Sequence, residues 1–308
     1  MGTPDFAVAS LKILVENNYN IVGVITAPDK PAGRGQKLSE SAVKKYAQSQ
    51  NLTLLQPSNL KAEEFINALK DLRANLQIVV AFRMLPEIVW NMPELGTFNL
   101  HASLLPQYRG AAPINWAIMN GEKETGVTTF FLQHKIDTGD IIAQQKVSIT
   151  ENETAGELHD QLMITGAKLV LETVKKIEND TIITSPQNNN QPLKEAFKLF
   201  KPNCKIDWSL SMEAIHNLIR GLSPYPTAWT ELKDRNTGEM LSCKIFRTEK
   251  QPEQHQLAIP SIIQHKNELK IAVQGGFLKI LELQLSGKKR METTALLNGF
   301  DFNNYTLI

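Results

Sequence analysis

The chain is poor in the residues that would specialise it. Of its 308 residues only two are cysteine, Cys204 and Cys243, and they stand far apart with no CxxC or His-rich spacing around either. That excludes a disulfide framework and a Cys/His zinc site. No run of about eighteen apolar residues exists to cross a bilayer, and no charged-then-apolar leader precedes a small-residue cleavage site, so a cytoplasmic protein is expected. An excess of either charge is missing too. The formal net charge is +1, nearly balanced on both sides of Cys204, so no basic domain of the kind that grips nucleic acid stands out and any phosphate contact has to come from local clusters. What remains is 42% hydrophobic and 21% charged, an ordinary globular composition on a chain long enough for two cores.

The first half alternates short apolar runs with amphipathic stretches. Ile21–Thr26, Ile78–Phe82, Thr97–His101 and Gly126–Leu132 read as strands. Phe6–Asn17, Ser41–Gln50, Ala62–Leu72 and Glu153–Glu178 read as helices. This is the pattern of a doubly wound, mostly parallel α/β sheet covered on both faces. In the longest helix, Leu158, Leu162, Val170, Val174 and Ile177 form a core stripe interrupted at Gly166. From Ser185 to Asn203 the composition turns to Asn, Gln, Pro and Lys, marking a linker. Beyond it come a helix at Met212–Gly221 and short strands at Leu241–Phe246, Leu257–Ile263, Leu269–Val273 and Leu278–Leu285, spaced as in a small β domain. The expected division is 1–184, a linker at 185–203, and 204–308.

Chemistry concentrates between Asn99 and Asp137. Asn99 and His101 lie two apart on a strand and therefore share a face. Ser103-Leu104-Leu105-Pro106 and Gly110-Ala-Ala-Pro113 follow, forming a loop before a helical segment at Ile114–Met119, and loops at the carboxyl ends of strands are where open α/β sheets bind ligands. Asp137 opens an Asp-Thr-Gly turn within reach of that loop. Singly, such a His is usually a hydrogen-bonded core residue and such an Asp a turn former. Together, an amide donor, a titratable imidazole and a carboxylate are the parts needed for acyl-type transfer through a tetrahedral intermediate.

The pattern Asn-x-His-x-Ser-Leu-Leu-Pro with a downstream Asp-x-Gly resembles the folate-dependent formyltransferases, which move a formyl group from formyltetrahydrofolate to an amine. Met1-Gly-Thr-Pro-Asp-Phe-Ala-Val8 is similar to the opening glycine loop of the branch that acts on methionyl-tRNA. Pro28-Asp-Lys-Pro-Ala-Gly-Arg-Gly-Gln-Lys-Leu38 is similar to that branch's basic loop, and Gly287-Lys-Lys-Arg-Met291 and Leu297-Asn-Gly-Phe300 to its closing segment. The resemblance implies a Rossmann-like domain followed by an oligonucleotide-binding-like β-barrel that contacts tRNA. It also implies 10-formyltetrahydrofolate as co-substrate and methionyl-initiator tRNA as acceptor in translation initiation. No Cys/His/carboxylate cluster has ligand spacing, so no metal is expected, and a monomer is expected.

In those roles Asn99 would donate to the oxyanion and Asp137 would orient His101. His101 would act either as general base, for which an imidazole's ordinary pKa of roughly 6.5 suits neutral pH, or as a protonated donor sharing the oxyanion role. Ser103, Leu104, Leu105 and Pro106, with Phe82, Arg83 and Met84 of a second loop, would line the folate site. Arg83 stands where relatives have glycine. Lys30, Arg34 and Lys37, around Gly33 and Gly35 and followed by Lys44 and Lys45, would contact tRNA, as would Lys288, Lys289 and Arg290; the plain alternative for each group is a solvated surface turn. The resembled family also leads a strand into Met-Gly-Thr-Pro, so an initiation site upstream of Met1 is expected. A related formyltransferase acting on a sugar nucleotide, without the basic loop, and a non-catalytic α/β binding module, with no need of the three polar residues together, are the competing readings.

Overall fold

The computed structural model describes residues 1–32, 37–188 and 190–308, and its chain divides into two compact units. One comprises Met1–Gly110, Thr125–Val147 and His159–Glu195; the other comprises Ala111–Glu124, Ser148–Leu158 and Ala196–Ile308. The basic-loop residues Gly33, Arg34 and Gly35 lie outside the described residues.

In the first unit, helix Asp5–Glu16 starts with Asp5 at its positive end and buries Phe6, Ala7, Ser10 and Leu14. Ser41 caps helix Ala42–Ser49 by accepting from the Lys44 N–H at 3.0 Å. Phe65, Ile66 and Leu69 of helix Glu63–Asp71 pack with Ile25, Leu60, Val79, Leu85 and Val89 into one core. Strand Val24–Ile25 pairs in parallel with Leu54–Leu55. Separately, Gln77–Val80 pairs in parallel with Thr97–His101, placing Val79 opposite Asn99. Between these two strand groups Gly2 donates to the Ile25 carbonyl and bridges to Val80, beside a cavity of about 140 Å³ lined by Leu14, Val24, Leu72 and Ile78 among others. Burial pushes the Met1 α-amine down to about 5.

Strand Glu124–Phe131 runs antiparallel to Thr97–His101, with Thr128 opposite His101, and Ile141–Ser148 follows at the sheet's edge. The sheet is thus mixed at this end, where the apolar pattern reads as parallel. An apolar run reports burial on both faces and carries no information about strand direction. Ile141–Ser148 escapes the pattern because Gln144, Gln145 and Lys146 interrupt its apolar residues. Helix Ala155–Glu178 covers one sheet face. Gly166 makes room there for Leu100, whose Cδ2 a Cβ would approach to 2.8 Å, and Thr173 and Thr129 share a buried hydroxyl hydrogen bond of 2.8 Å.

The second unit is built on six antiparallel strands in spatial order Ser261–His265, Glu268–Val273, Gly276–Leu285, Met240–Pro252, Ala228–Asp234 and Tyr305–Leu307, with Met291–Glu292 added to the third. The first and last of these approach each other, so the sheet nearly closes into a barrel. A bulge between Ile245 and Thr248 bends the long strand. Helix Met212–Leu222 fills the interior side with Met212, Ile215, Ile219 and Leu222. Helix Pro113–Met119 packs on it, fastened by the Asn115 amide donating to the Gly221 carbonyl at 2.7 Å.

Candidate active site

Strand alternation sets the site. Phe98 and Leu100 point into the core at 0% and 3% exposure, which sends Asn99 and His101 to the opposite face. Asn99 is half-buried, and its amide has no hydrogen-bond partner among the described residues. His101 is buried, and its Nε2 lies 2.8 Å from the Tyr108 carbonyl oxygen. A carbonyl only accepts, so Nε2 carries a proton. Nδ1 therefore faces Asp137, whose Oδ2 is 3.9 Å away, beyond hydrogen-bond reach.

Asp137 is held in the left-handed region at φ +54°, and Tyr108 at φ +60°, conformations unfavourable for residues with a Cβ. Both are fixed by hydrogen bonds. The Gly110 N–H donates to Asp137 Oδ2 at 3.0 Å, and Tyr108 N–H donates to the Lys194 carbonyl at 2.6 Å. Gly139, two residues on, has no room for a Cβ, which would collide with the Phe131 carbonyl oxygen. Arg109 is partly buried nearby; burial pushes its guanidinium below the ordinary arginine range while Asp137 pulls it back up.

The Ser103–Pro106 loop is pinned by side chains that the sequence did not single out. Thr128 Oγ1 donates to the Ser103 carbonyl at 2.6 Å and accepts from the Leu105 N–H at 3.2 Å and from Gln144 Nε2 at 2.9 Å. Gln144 Nε2 also donates to the Leu105 carbonyl, and Ser103 Oγ to the Gln107 carbonyl at 2.6 Å. Ser103 and Leu105 are buried in holding this loop, whereas Leu104 and Pro106 are half-exposed. In the second loop Arg83 has its guanidinium committed to the carbonyls of Pro57 and Ser58, and it lies 5.5 Å from the Phe82 ring centre. Met84 is 76% exposed.

The basic residues divide according to their neighbours. Lys30 is exposed, at the start of the short strand Lys30–Ala32 that pairs with Lys37–Ser39. Lys44, by contrast, is neutralised by Asp29 at 2.5 Å and Glu40 at 2.8 Å. Lys288 and Lys289 are exposed on a turn of the second unit, while Arg290 forms a two-armed pair with Glu282 at 2.5 and 2.6 Å and stacks over Phe246. No cluster of three metal-ligating side chains occurs among the described residues, and no described helix is long and apolar enough to cross a membrane.

The residues of Thr97–His101 and of the two loops were visible as motifs. Gln187, Thr128 and Gln144 were not, because their contribution is a hydrogen bond to backbone far away in sequence, for which composition and spacing carry no signal.

Residues 1–174 match the formyl transferase family, and residues 198–301 match the formyl transferase C-terminal domain. The chain is similar to the methionyl-tRNA formyltransferase of Flavobacterium johnsoniae, 60% identical over 304 residues covering 99% of this chain and 96% of that one. The corresponding enzyme of Bacteroides thetaiotaomicron is 58% identical over 97% of this chain and 94% of its own. In fold the chain is similar to an N-formyltransferase from Helicobacter canadensis solved with folinic acid and dTDP-3-aminofucose, with TM-score 0.65, 22% identity, and coverage of 94% of this chain and 97% of that one. A half-exposed amide and a buried imidazole–carboxylate couple above the ends of a Rossmann-like sheet, with near-full-length identity to enzymes of one activity, lead to a single assignment: the chain belongs to the formyl transferase family, in the branch that formylates methionyl-tRNA.

Proposed function

We propose that Asn99, His101 and Asp137 carry the transfer of a formyl group from 10-formyltetrahydrofolate to the α-amine of methionyl-initiator tRNA. The amine nitrogen attacks the formyl carbon, and the carbonyl oxygen takes up negative charge. The carbon–N10 bond of the folate then breaks, the attacking nitrogen loses a proton, and N10 gains one. Asn99 donates its amide N–H to the developing oxyanion, which is the role a free amide on the ligand face suits. His101 serves as the second donor. Its Nε2–H is already given to the Tyr108 carbonyl, so a neutral ring would aim the Nδ1 lone pair at the Asp137 carboxylate, setting two acceptors face to face. A proton on Nδ1 removes that conflict, and the 3.9 Å separation from the carboxylate leaves that N–H available to the oxyanion. Asp137, through water, then accepts the proton the amine releases.

The single observation carrying this reading is the His101 Nε2–Tyr108 carbonyl hydrogen bond, which supports Nδ1 as the nitrogen facing the chemistry. The proposed folate wall comprises Ser103, Leu104, Leu105 and Pro106 together with Phe82, Arg83 and Met84. Of these, Leu104, Pro106, Phe82 and Met84 offer surface, while Ser103, Leu105 and Arg83 hold the loops. Lys30, Arg34, Lys37, Lys288 and Lys289 are proposed to meet tRNA phosphates, with Arg290 contributing less because Glu282 already balances it. We place the catalytic domain at 1–184, the connecting segment at 185–203 and the tRNA-binding barrel at 204–308, in a cytoplasmic monomer.

The direct test supplies labelled 10-formyltetrahydrofolate with charged initiator tRNA or with a dTDP-amino sugar. Label on the aminoacyl group alone is expected; label on the sugar would favour the nucleotide-sugar reading. A kcat that falls with rising pH as an essential group loses its proton supports His101 as a protonated donor. A kcat that only rises with pH would make His101 the base.

A further inference from the structure

Gln187 lies in the Asn/Gln-rich stretch, yet it is 9% exposed and divides its amide between the backbone of one loop and the guanidinium of Arg109 on another. Its Nε2 donates to the Asp137 carbonyl at 2.9 Å and to the Gly139 carbonyl at 2.8 Å. Its Oε1 accepts from Arg109 Nε at 3.1 Å and Nη2 at 2.5 Å. This orientation is forced, because a flipped amide would set oxygen against two carbonyls and NH₂ against a guanidinium. One side is the turn bearing Asp137, held in the left-handed region. The other is the segment 108–110, whose Tyr108 carbonyl receives His101 and whose Gly110 N–H receives the Asp137 carboxylate. The neighbouring chain is anchored as well. Ser185 and Ile141 exchange backbone hydrogen bonds at 2.8 and 3.0 Å, and Gln107 Nε2 donates to the Pro192 carbonyl while its Oε1 accepts from the Lys194 N–H at 2.8 Å.

We infer that Gln187 is a positioning residue, which fixes the Asp137 carboxylate against His101 by clamping the 137–139 turn to the 108–110 segment. The inference rests on the proposed role of Asp137. Without the clamp, the buried Gly139 carbonyl and the partly buried Asp137 carbonyl lose their donor, and Asp137 is free to leave its left-handed conformation, taking the carboxylate with it. Misplacement by a fraction of an ångström suffices to slow a reaction while leaving remote ligand contacts intact.

The test compares Gln187→Ala, Gln187→Glu, Asp137→Asn and the double variant Asp137→Asn/Gln187→Ala. Gln187→Glu keeps the acceptors for Arg109 and loses both donors, so it guards against a simple packing defect. Thermal midpoints identify any variant that fails to fold. The expected result is a kcat lowered about ten-fold or more in both Gln187 variants, with KM for 10-formyltetrahydrofolate within about two-fold of the parent. The kcat–pH limb should move as it does in Asp137→Asn, and the double variant should be no slower than Asp137→Asn alone. Effects of Gln187→Ala and Asp137→Asn that multiply would overturn the inference, as would an unshifted pH profile. If Asp137→Asn lowers kcat and folded Gln187→Glu does not, the positioning role alone fails. If Asp137→Asn leaves kcat unchanged, both the role of Asp137 and the inference built on it fail.

Discussion

His101 and His216 are both buried histidines, at 8% and 1% exposure, and the groups around them differ in kind. His101 sits at a strand end, gives one N–H to a carbonyl and turns its other nitrogen to a carboxylate, beside an amide with no partner among the described residues. His216 sits on helix Met212–Leu222 with Nδ1 against the Thr248 hydroxyl at 2.9 Å. Burial pushes its imidazole down to about 4; Lys250 and Arg220 add to this, while Glu213 opposes them. Burial alone does not make a functional histidine. What distinguishes the His101 surroundings is a carboxylate 3.9 Å from Nδ1 and a half-buried amide two residues away on the same strand face.

The largest effect should come from removing that neighbour. Asn99→Ala is expected to leave the thermal midpoint near the parent's while lowering kcat by on the order of 3–4 kcal/mol of transition-state stabilisation. A folded variant within a few-fold of the parent would make Asn99 structural and erase the contrast with the His216 region. Next comes the pH response of the second histidine. Its folded pKa of about 4 lies below the ordinary 6.5, so the unfolded chain binds the proton more readily. Stability from this group is therefore full above about pH 6.5 and falls by on the order of 3 kcal/mol as the pH drops toward 4. Urea unfolding across that window measures it, and His216→Gln should flatten the curve.

Coupling between His101 and Asp137 should be somewhat smaller. The double variant His101→Ala/Asp137→Asn is expected to fall short of the product of the single effects, by an interaction of roughly 0.5–3 kcal/mol. Full multiplication would show that the 3.9 Å separation is idle. The smallest effects belong to the basic residues. Arg34→Ala or Lys288→Ala should weaken tRNA binding and reduce its log–log salt slope by about one each, leaving folate affinity unchanged. Arg290→Ala should change the slope less, since Glu282 already pairs with it. Equal losses for both ligands would indicate a folding defect.

The alternation of Thr97–His101 made the shared face of Asn99 and His101 readable, and the core stripe of the long helix was equally plain. Its break at Gly166 was visible as a position but not as a reason, because the reason is Leu100 on a strand more than sixty residues earlier. Strand Ala228–Asp234 went unread, since alternation in a strand so close to two prolines looks like loop. Lys44 was counted with the basic loop and Arg83 with the folate-site loop, yet carboxylates and carbonyls from other segments occupy their charges.

By itself the sequence determined which residues alternate, which turn and which carry titratable groups, because those properties follow from local geometry and side-chain chemistry. It thereby placed the amide and imidazole on one face, and the motif running from Asn99 to Pro106 carried the resemblance to the formyltransferases. Only the tertiary structure decided the proton on His101 Nε2, the reach from Nδ1 to Asp137 and the burial of Gln187 against two carbonyls. Each of those depends on where distant backbone groups come to rest, and a hydrogen bond or a Coulomb interaction is set by that distance rather than by order along the chain.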